Sequence, residues 1–226
     1  MTARLRGLAD NRRPGSLADR FRQRRFELLR GLVDTLPRPV RILDVGGTTS
    51  FWERVGYTGR DGLEIVLLNQ LQQDAPHDNL TAVVGDAADL SAFGDGSFDV
   101  VVSNSVIEHL PTLELQGRMA AEMRRVGRRL YVQTPNRYFP LEPHFLFPFF
   151  ALLPLNVRAF LLQHLDLGWH PRQPDRAAAL REVRSIRLMT GRELRRVFPG
   201  ARIERERILV FTKSFIVLDG WDPQEG

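Results

Sequence analysis

An open, doubly wound and mostly parallel α/β sheet is the fold class this sequence predicts. Apolar runs alternate with helical stretches from residue 40 onward, the signature of βαβ units. Several runs, such as "LEIVLL" and "FDVVVSN", are apolar without alternation, as in strands covered by helices on both faces. Polar residues stand where those runs end, and in such sheets ligands bind beyond the carboxyl ends of the strands, where strand order reverses.

The elements follow in order. Residues 1–15 carry the punctuation Pro14-Gly15 and no regular pattern. "SLADRFRQRRFELLRGLVDTL" (16–36) predicts an amphipathic helix with Ser16 as N-cap and Leu17, Phe21, Leu28, Leu32 and Leu36 on one stripe. Pro37 and Pro39 end it. Strands are predicted at 40–45, 63–68, 81–84, 98–104 and 129–134, with helices near 50–56, 70–74 and 112–126. A helix near 190–197 and strands at 201–208 and 210–218 complete the chain. The first of these last strands, "ARIERERI", alternates and is assigned to an exposed antiparallel edge. The result is a Rossmann-like, doubly wound seven-stranded sheet with an antiparallel C-terminal edge, plus a helical, aromatic cap insertion. Its parts are a basic arm and helix (1–36), a ligand-binding core (37–134), the cap (135–185) and a C-terminal helix and strands (186–226).

Composition sets limits on function. The 226 residues are 43% hydrophobic, enough for a sizeable core. With no cysteine there are no disulfides, thiolate metal sites or cysteine nucleophiles, which fits a reducing cytoplasm. The N-terminus lacks the apolar segment of a secretory signal. Residues 1–30 hold nine Arg and three acids, a local +6; against a total of +5, the remainder is near −1. With 31 Arg and one Lys overall, this basic arm reads as a solvated face of an Arg-rich chain, and no nucleic-acid partner is expected.

The strand ends carry the chemistry. Asp44, Gly46 and Gly47 follow the first strand, Asn69 and Gln70 the second, Asp86 and Ala87 the third, Asn104 and Ser105 the fourth. The glycines allow positive φ and close approach to a ligand. A helix starting near Ser50 offers free N–H groups to a carboxylate or phosphate. Asp44 would repel a pyrophosphate but suits an ammonium or sulfonium group. A dinucleotide fingerprint requires G-x-G-x-x-G and an acid about 20 residues on, whereas this loop reads G-G-T-T-S-F and the second strand ends in Asn69.

"ILDVGGTTSFW", "GDAADL" and "FDVVVSNSVIEHL" together resemble a class I S-adenosylmethionine-dependent methyltransferase of the type 11 kind, over about residues 38–134. The stretch continuing to "QTPNRYFPLEPHFLFPFF" is similar to an uncharacterised bacterial subgroup. The resemblance implies S-adenosylmethionine as cofactor. It places Asp44, Gly46, Gly47 and Thr48 at the methionine end, Asn69 and Gln70 at the ribose and Asp86 and Ala87 at the adenine, while Asn104 and Ser105 either contact the cofactor or shape the turn. Thr48 and Ser50 replace two family glycines, which implies a loop held partly by hydroxyl hydrogen bonds. Asn69 replaces a ribose-binding acid, weakening donor affinity by roughly 1 kcal/mol.

If the acceptor is a hydroxyl, phenol or amine, a base must take its proton. His109, just past the fourth strand, is the catalytic candidate; its alternative is a structural histidine opening the next helix. Glu108 beside it either orients that ring or serves as a helix-entry carboxylate. In the insertion, Tyr138, Glu142, His144 and Phe145 are candidate acceptor contacts. His144, His164 and His170 lack a compact ligand spacing, so no metal is expected. The insertion's aromatics and Leu are broken by Pro140, Pro143, Pro148 and Pro154, which predicts a bent cap in place of a membrane span. Some of these aromatics are expected to pack inward as the cap's own small core and others to cover an apolar small-molecule acceptor or make weak contact with a membrane surface.

Overall fold

A computed structural model describes residues 16–221. The expectations placed on residues 1–15, including the basic arm and Pro14-Gly15, lie outside the described residues. The described chain forms α1 (Leu17–Val33), β1 (Val40–Val45), α2 (Thr49–Val55), β2 (Leu63–Asn69), β3 (Leu80–Val84) and β4 (Val100–Asn104). It continues with α3 (Leu113–Val126), β5 (Leu130–Pro135), α4 (Leu155–His164), α5 (Arg176–Arg184), α6 (Gly191–Val197), β6 (Arg202–Ile208) and β7 (Phe211–Asp219). Short 3₁₀ turns lie at Ile107–His109 and Phe150–Leu152.

One sheet runs β3-β2-β1-β4-β5-β7-β6. The first five strands of that order are mutually parallel, while β7 pairs antiparallel with both β5 and β6. Strand order therefore reverses between β1 and β4, and both feed their ends into the same crevice. Alternate residues of each strand face opposite layers. Leu43, Val45, Val101 and Val132 pack with Met119 and Met123 of α3 and Leu194 of α6. Ile42, Ile65, Val100 and Val102 pack on the other face with Leu29 and Val33 of α1 and Trp52 and Val55 of α2. β6 lies at the edge, its residues alternately more and less exposed.

Ser16 caps α1, its side chain accepting from the Asp19 N–H at 3.0 Å. The helix ends at Val33, three residues before the predicted end, and the Thr35 hydroxyl donates back to the Leu32 carbonyl at 2.7 Å. Its buried stripe is Phe21, Phe26, Leu29, Leu32 and Val33, so Leu28 and Leu36 sit at the margin. The helix predicted at 70–74 is absent. Leu71, the sole apolar residue there, is 74% exposed with no face to bury, and the segment is tied by side chains to backbone instead. A helix this short needs tertiary packing to form.

Residues 135–185 build a layer with its own core: Phe145, Phe150, Ala159, Leu162, Ala179 and Val183 are all buried against one another. The Phe145 ring lies 4.4 Å from Phe150 and 4.5 Å from His170. His170 in turn pairs with Glu182 of α5 at 2.7 Å.

Candidate active site at the strand ends

The C-terminal ends of β3, β2, β1 and β4 lie side by side, in register at Asn69–Val84, Asp44–Leu67 and Asp44–Val102. The turn after β1 needs glycine twice. Gly46 has φ +81°, and a Cβ there would stand 2.3 Å from Val106 Cγ2. A Cβ on Gly47 would meet the Asp44 carboxylate at 2.6 Å. The rest of the loop is held by side chains, with the Thr48 and Ser50 hydroxyls 3.4 Å apart and the Thr49 hydroxyl donating to the Asp74 carbonyl.

Asp44 is buried beneath this turn and accepts from Trp52 Nε1 at 2.8 Å. Burial raises its carboxyl from 3.8 to about 7, against the opposing pull of the Trp52 bond. Stability linked to this group is therefore fully present below the ordinary carboxylate range and is lost as pH rises toward about 7. The ligand-free protein is expected to lose up to roughly 4 kcal/mol over that interval from this one group. Urea midpoints taken across the interval check this: Asp44→Asn should flatten the fall, and an unchanged slope would assign it elsewhere.

Asn69 also faces the turn, its Nδ2 donating to the Gly47 carbonyl at 3.1 Å and its Oδ1 lying 3.5 Å from the Leu71 N–H. Asn69, the ribose candidate, thus braces the glycine loop. Gln70 follows, exposed. Asp86 is exposed, with Oδ1 accepting from the Ala88 N–H at 2.8 Å, while Ala87 is buried. Asn104 ends β4 half-buried. Ser105 adopts φ +57° and donates its hydroxyl to Gln133 Oε1 at 2.8 Å.

Beyond β4 the chain turns through Ile107–His109, and cap and core meet. Glu108 is fully buried; Oε2 accepts from the Thr134 hydroxyl at 2.9 Å, and Oε1 has no hydrogen-bond partner among the described residues. Burial raises its pKa, against the charge of His144 and the Thr134 bond. His109 is exposed, its ring 5.3 Å from His144 and nearly perpendicular to it. Burial of part of the ring, together with the charge of His144, lowers the pKa of His109. Burial would also lower His144, but its 2.7 Å contact with Glu142 and the charges of Glu142 and Glu108 outweigh this and raise it. Glu142 is itself buried and accepts from the N–H groups of His144 and Phe145 at 2.9 and 2.6 Å. Glu108, His109 and His144 offer ligand atoms within 4.8 Å of one another and could hold a metal ion. That grouping joins residues 35 positions apart, so no spacing motif reveals it.

The structure thus brings His109, Glu142 and His144 together, and Phe145 joins Glu142 through its backbone N–H. Tyr138 is 62% exposed, whereas Phe145 is packed inside the cap. Trp52 and Val106 lie within the strand-end motifs and Thr134 in β5, but their contacts with Asp44, the Gly46 turn and Glu108 are set by the fold.

A Rossmann-like sheet of this order, with a glycine turn after β1 over a buried carboxylate, is the frame of the class I methyltransferases. Residues 45–129 match the family described as "Methyltransferase domain". That match spans 85 of the 226 residues, and the sheet around it fits a Rossmann-like methyltransferase fold. No curated protein matches the sequence. Among solved structures, the chain is similar to a proposed methyltransferase from an antibiotic biosynthesis pathway of Anabaena variabilis, at TM-score 0.51 and 19% identity. That match covers 82% of this chain and 64% of the relative, so the chain spans less than two thirds of its length. It is also similar to the magnesium protoporphyrin IX methyltransferase of Synechocystis PCC 6803 with bound SAH (TM-score 0.52, 14% identity, 88% of this chain and 82% of that one). A third is the 1,6-didemethyltoxoflavin-N1-methyltransferase of Burkholderia thailandensis (TM-score 0.52, 13% identity, 87% and 76%).

Among the described residues, no helix is long and apolar enough to cross a membrane.

Proposed function

We propose that the protein transfers a methyl group from S-adenosylmethionine to a small, partly apolar acceptor, with O-methylation as the favoured chemistry. The supporting observation is the convergence of four strand ends around the Gly46 turn, with a buried carboxylate beneath it. A sulfonium or ammonium group brought near Asp44 would stabilise its ionised form. Donor binding would position the methyl group, and since the donor is already activated, positioning and exclusion of water supply much of the acceleration. The cytoplasm is the proposed compartment, where a chain without cysteine needs no oxidising environment.

His109 is the proposed proton acceptor, since it stands exposed at the end of β4 where cap meets core. His109→Ala should leave donor binding unchanged and lower turnover by about 10²- to 10⁴-fold if deprotonation is part of the reaction. The binding half is read from thermal unfolding with S-adenosylhomocysteine, which at 100 times its Kd should stabilise by about 2.7 kcal/mol. No stabilisation at millimolar ligand would replace this reading with that of a protein whose donor site is degenerate. Stabilisation without turnover on any acceptor in a cell extract would leave a binding module.

A peripheral membrane-associated form of the same activity, taking a lipid-like acceptor, is favoured by one observation. Phe149, Leu152, Phe160 and Trp169 of the cap are all about half exposed.

A further inference from the structure

A cavity of about 290 Å³ lies between the cap and the core, near the lower end of ligand-site volumes. Its apolar wall includes Phe145, Phe150, Leu155 and Leu188, and its polar wall is mainly arginine: Arg137, Arg158, Arg184 and Arg187. Arg187 is already neutralised, bonding Gln116 Oε1 at 2.7 Å and Glu193 Oε1 at 2.5 Å. Arg184 is exposed to water. Arg137, just past β5, and Arg158, on α4, are different. Both are partly buried, neither forms an ion pair among the described residues, and Arg158 Nε is buried without a hydrogen-bond partner. Burial lowers the pKa of Arg158 and the charge of Arg137 lowers it further, so the two guanidinium groups sit within repulsive range. Two such cations drawn out of water without an anion between them are costly, and a planar guanidinium fork matches a carboxylate or phosphate. Glu142 also lines the cavity and partly offsets Arg158, but its oxygens are taken by His144 and by the N–H of Phe145.

We propose that this cavity binds the anionic head, carboxylate or phosphate, of a small amphipathic acceptor between Arg137 and Arg158, with its apolar part against the cap phenylalanines. The inference rests on the methyltransferase reading only in calling the ligand an acceptor. Glu142 belongs both to the cavity wall and to the pair with His144, whose ring touches His109, so two side chains link a molecule anchored here to the proposed proton acceptor.

The test uses the full chain and three probes of one chain length: hexanoate, hexyl phosphate and hexanol, titrated calorimetrically. Hexanoate or hexyl phosphate should bind at least about tenfold more tightly than hexanol, with affinity falling as salt rises. The stronger of the two anions identifies the head group. Arg137→Gln and Arg158→Gln should each weaken the anion by about tenfold or more, while Arg184→Gln changes it little. Equal binding of hexanol, anion binding unchanged in the double variant, or no anion binding at millimolar concentration each overturns the proposal. S-adenosylhomocysteine stabilisation, measured on the same variants, reports folding and separates the two readings. Its persistence without anion binding removes this site alone; its absence alongside anion binding removes the methyltransferase reading alone.

Discussion

Gly46→Ala is expected to destabilise the protein by about 3 kcal/mol and to abolish stabilisation by S-adenosylhomocysteine. Two independent costs add. An alanine at φ +81° pays for a left-handed backbone, and its Cβ would overlap Val106, with Cγ2 at 2.3 Å and Cγ1 at 3.0 Å. The turn cannot slide away, because Gly46 N–H donates to the Leu68 carbonyl at 2.7 Å and Asn69 holds the next carbonyl. The overlap is relieved by Val106→Ala, whereas the backbone cost is not. The double variant should therefore recover roughly half of the loss, a coupling expected of residues in contact. Denaturant midpoints for the four proteins of this cycle measure it. Strict additivity would show that the turn relaxes and that Val106 does not set its path.

Glu142→Ala is expected to cost about 3 kcal/mol, and to open the cap while the sheet stays closed. One carboxylate receives the N–H groups of His144 and Phe145 and the His144 ring, so its loss leaves buried donors without partners. The cap core around Phe145, Phe150 and Leu162 is a cluster of its own, separate from those on the two faces of the sheet. Hydrogen exchange should accordingly quicken across about 142–185 and remain slow in β1, β4 and β5. Glu142→Gln keeps one acceptor oxygen and should lose less. Uniform loss of protection across the whole chain would mean that cap and sheet unfold as one unit.

The strands were legible because central parallel strands are apolar throughout, and that pattern survives any arrangement of the helices around them. Gly46 and Asn104 could be read as strand-end residues for the same reason: β1 and β4 end where their apolar runs end. The helix predicted at 70–74 failed for the opposite reason, since a single Leu gives no face to bury and the loop is satisfied by local side-chain bonds. Asp44 was legible as a carboxylate beside the loop, yet its neutralising environment was not. That depends on its burial beneath the turn, which the hydrogen bond from Trp52 of α2 partly opposes.

By itself the sequence determined the order and type of the sheet elements, the glycine turn and the polar residues at four strand ends, because hydrophobic period and backbone freedom are local properties. Only the tertiary structure decided that Glu142 would buttress His144 against His109, that Asn69 would brace its own loop, and that Arg137 and Arg158 would face one cavity. Those outcomes hang on distances between segments far apart in the chain, and charge and burial act through such distances, not through sequence separation.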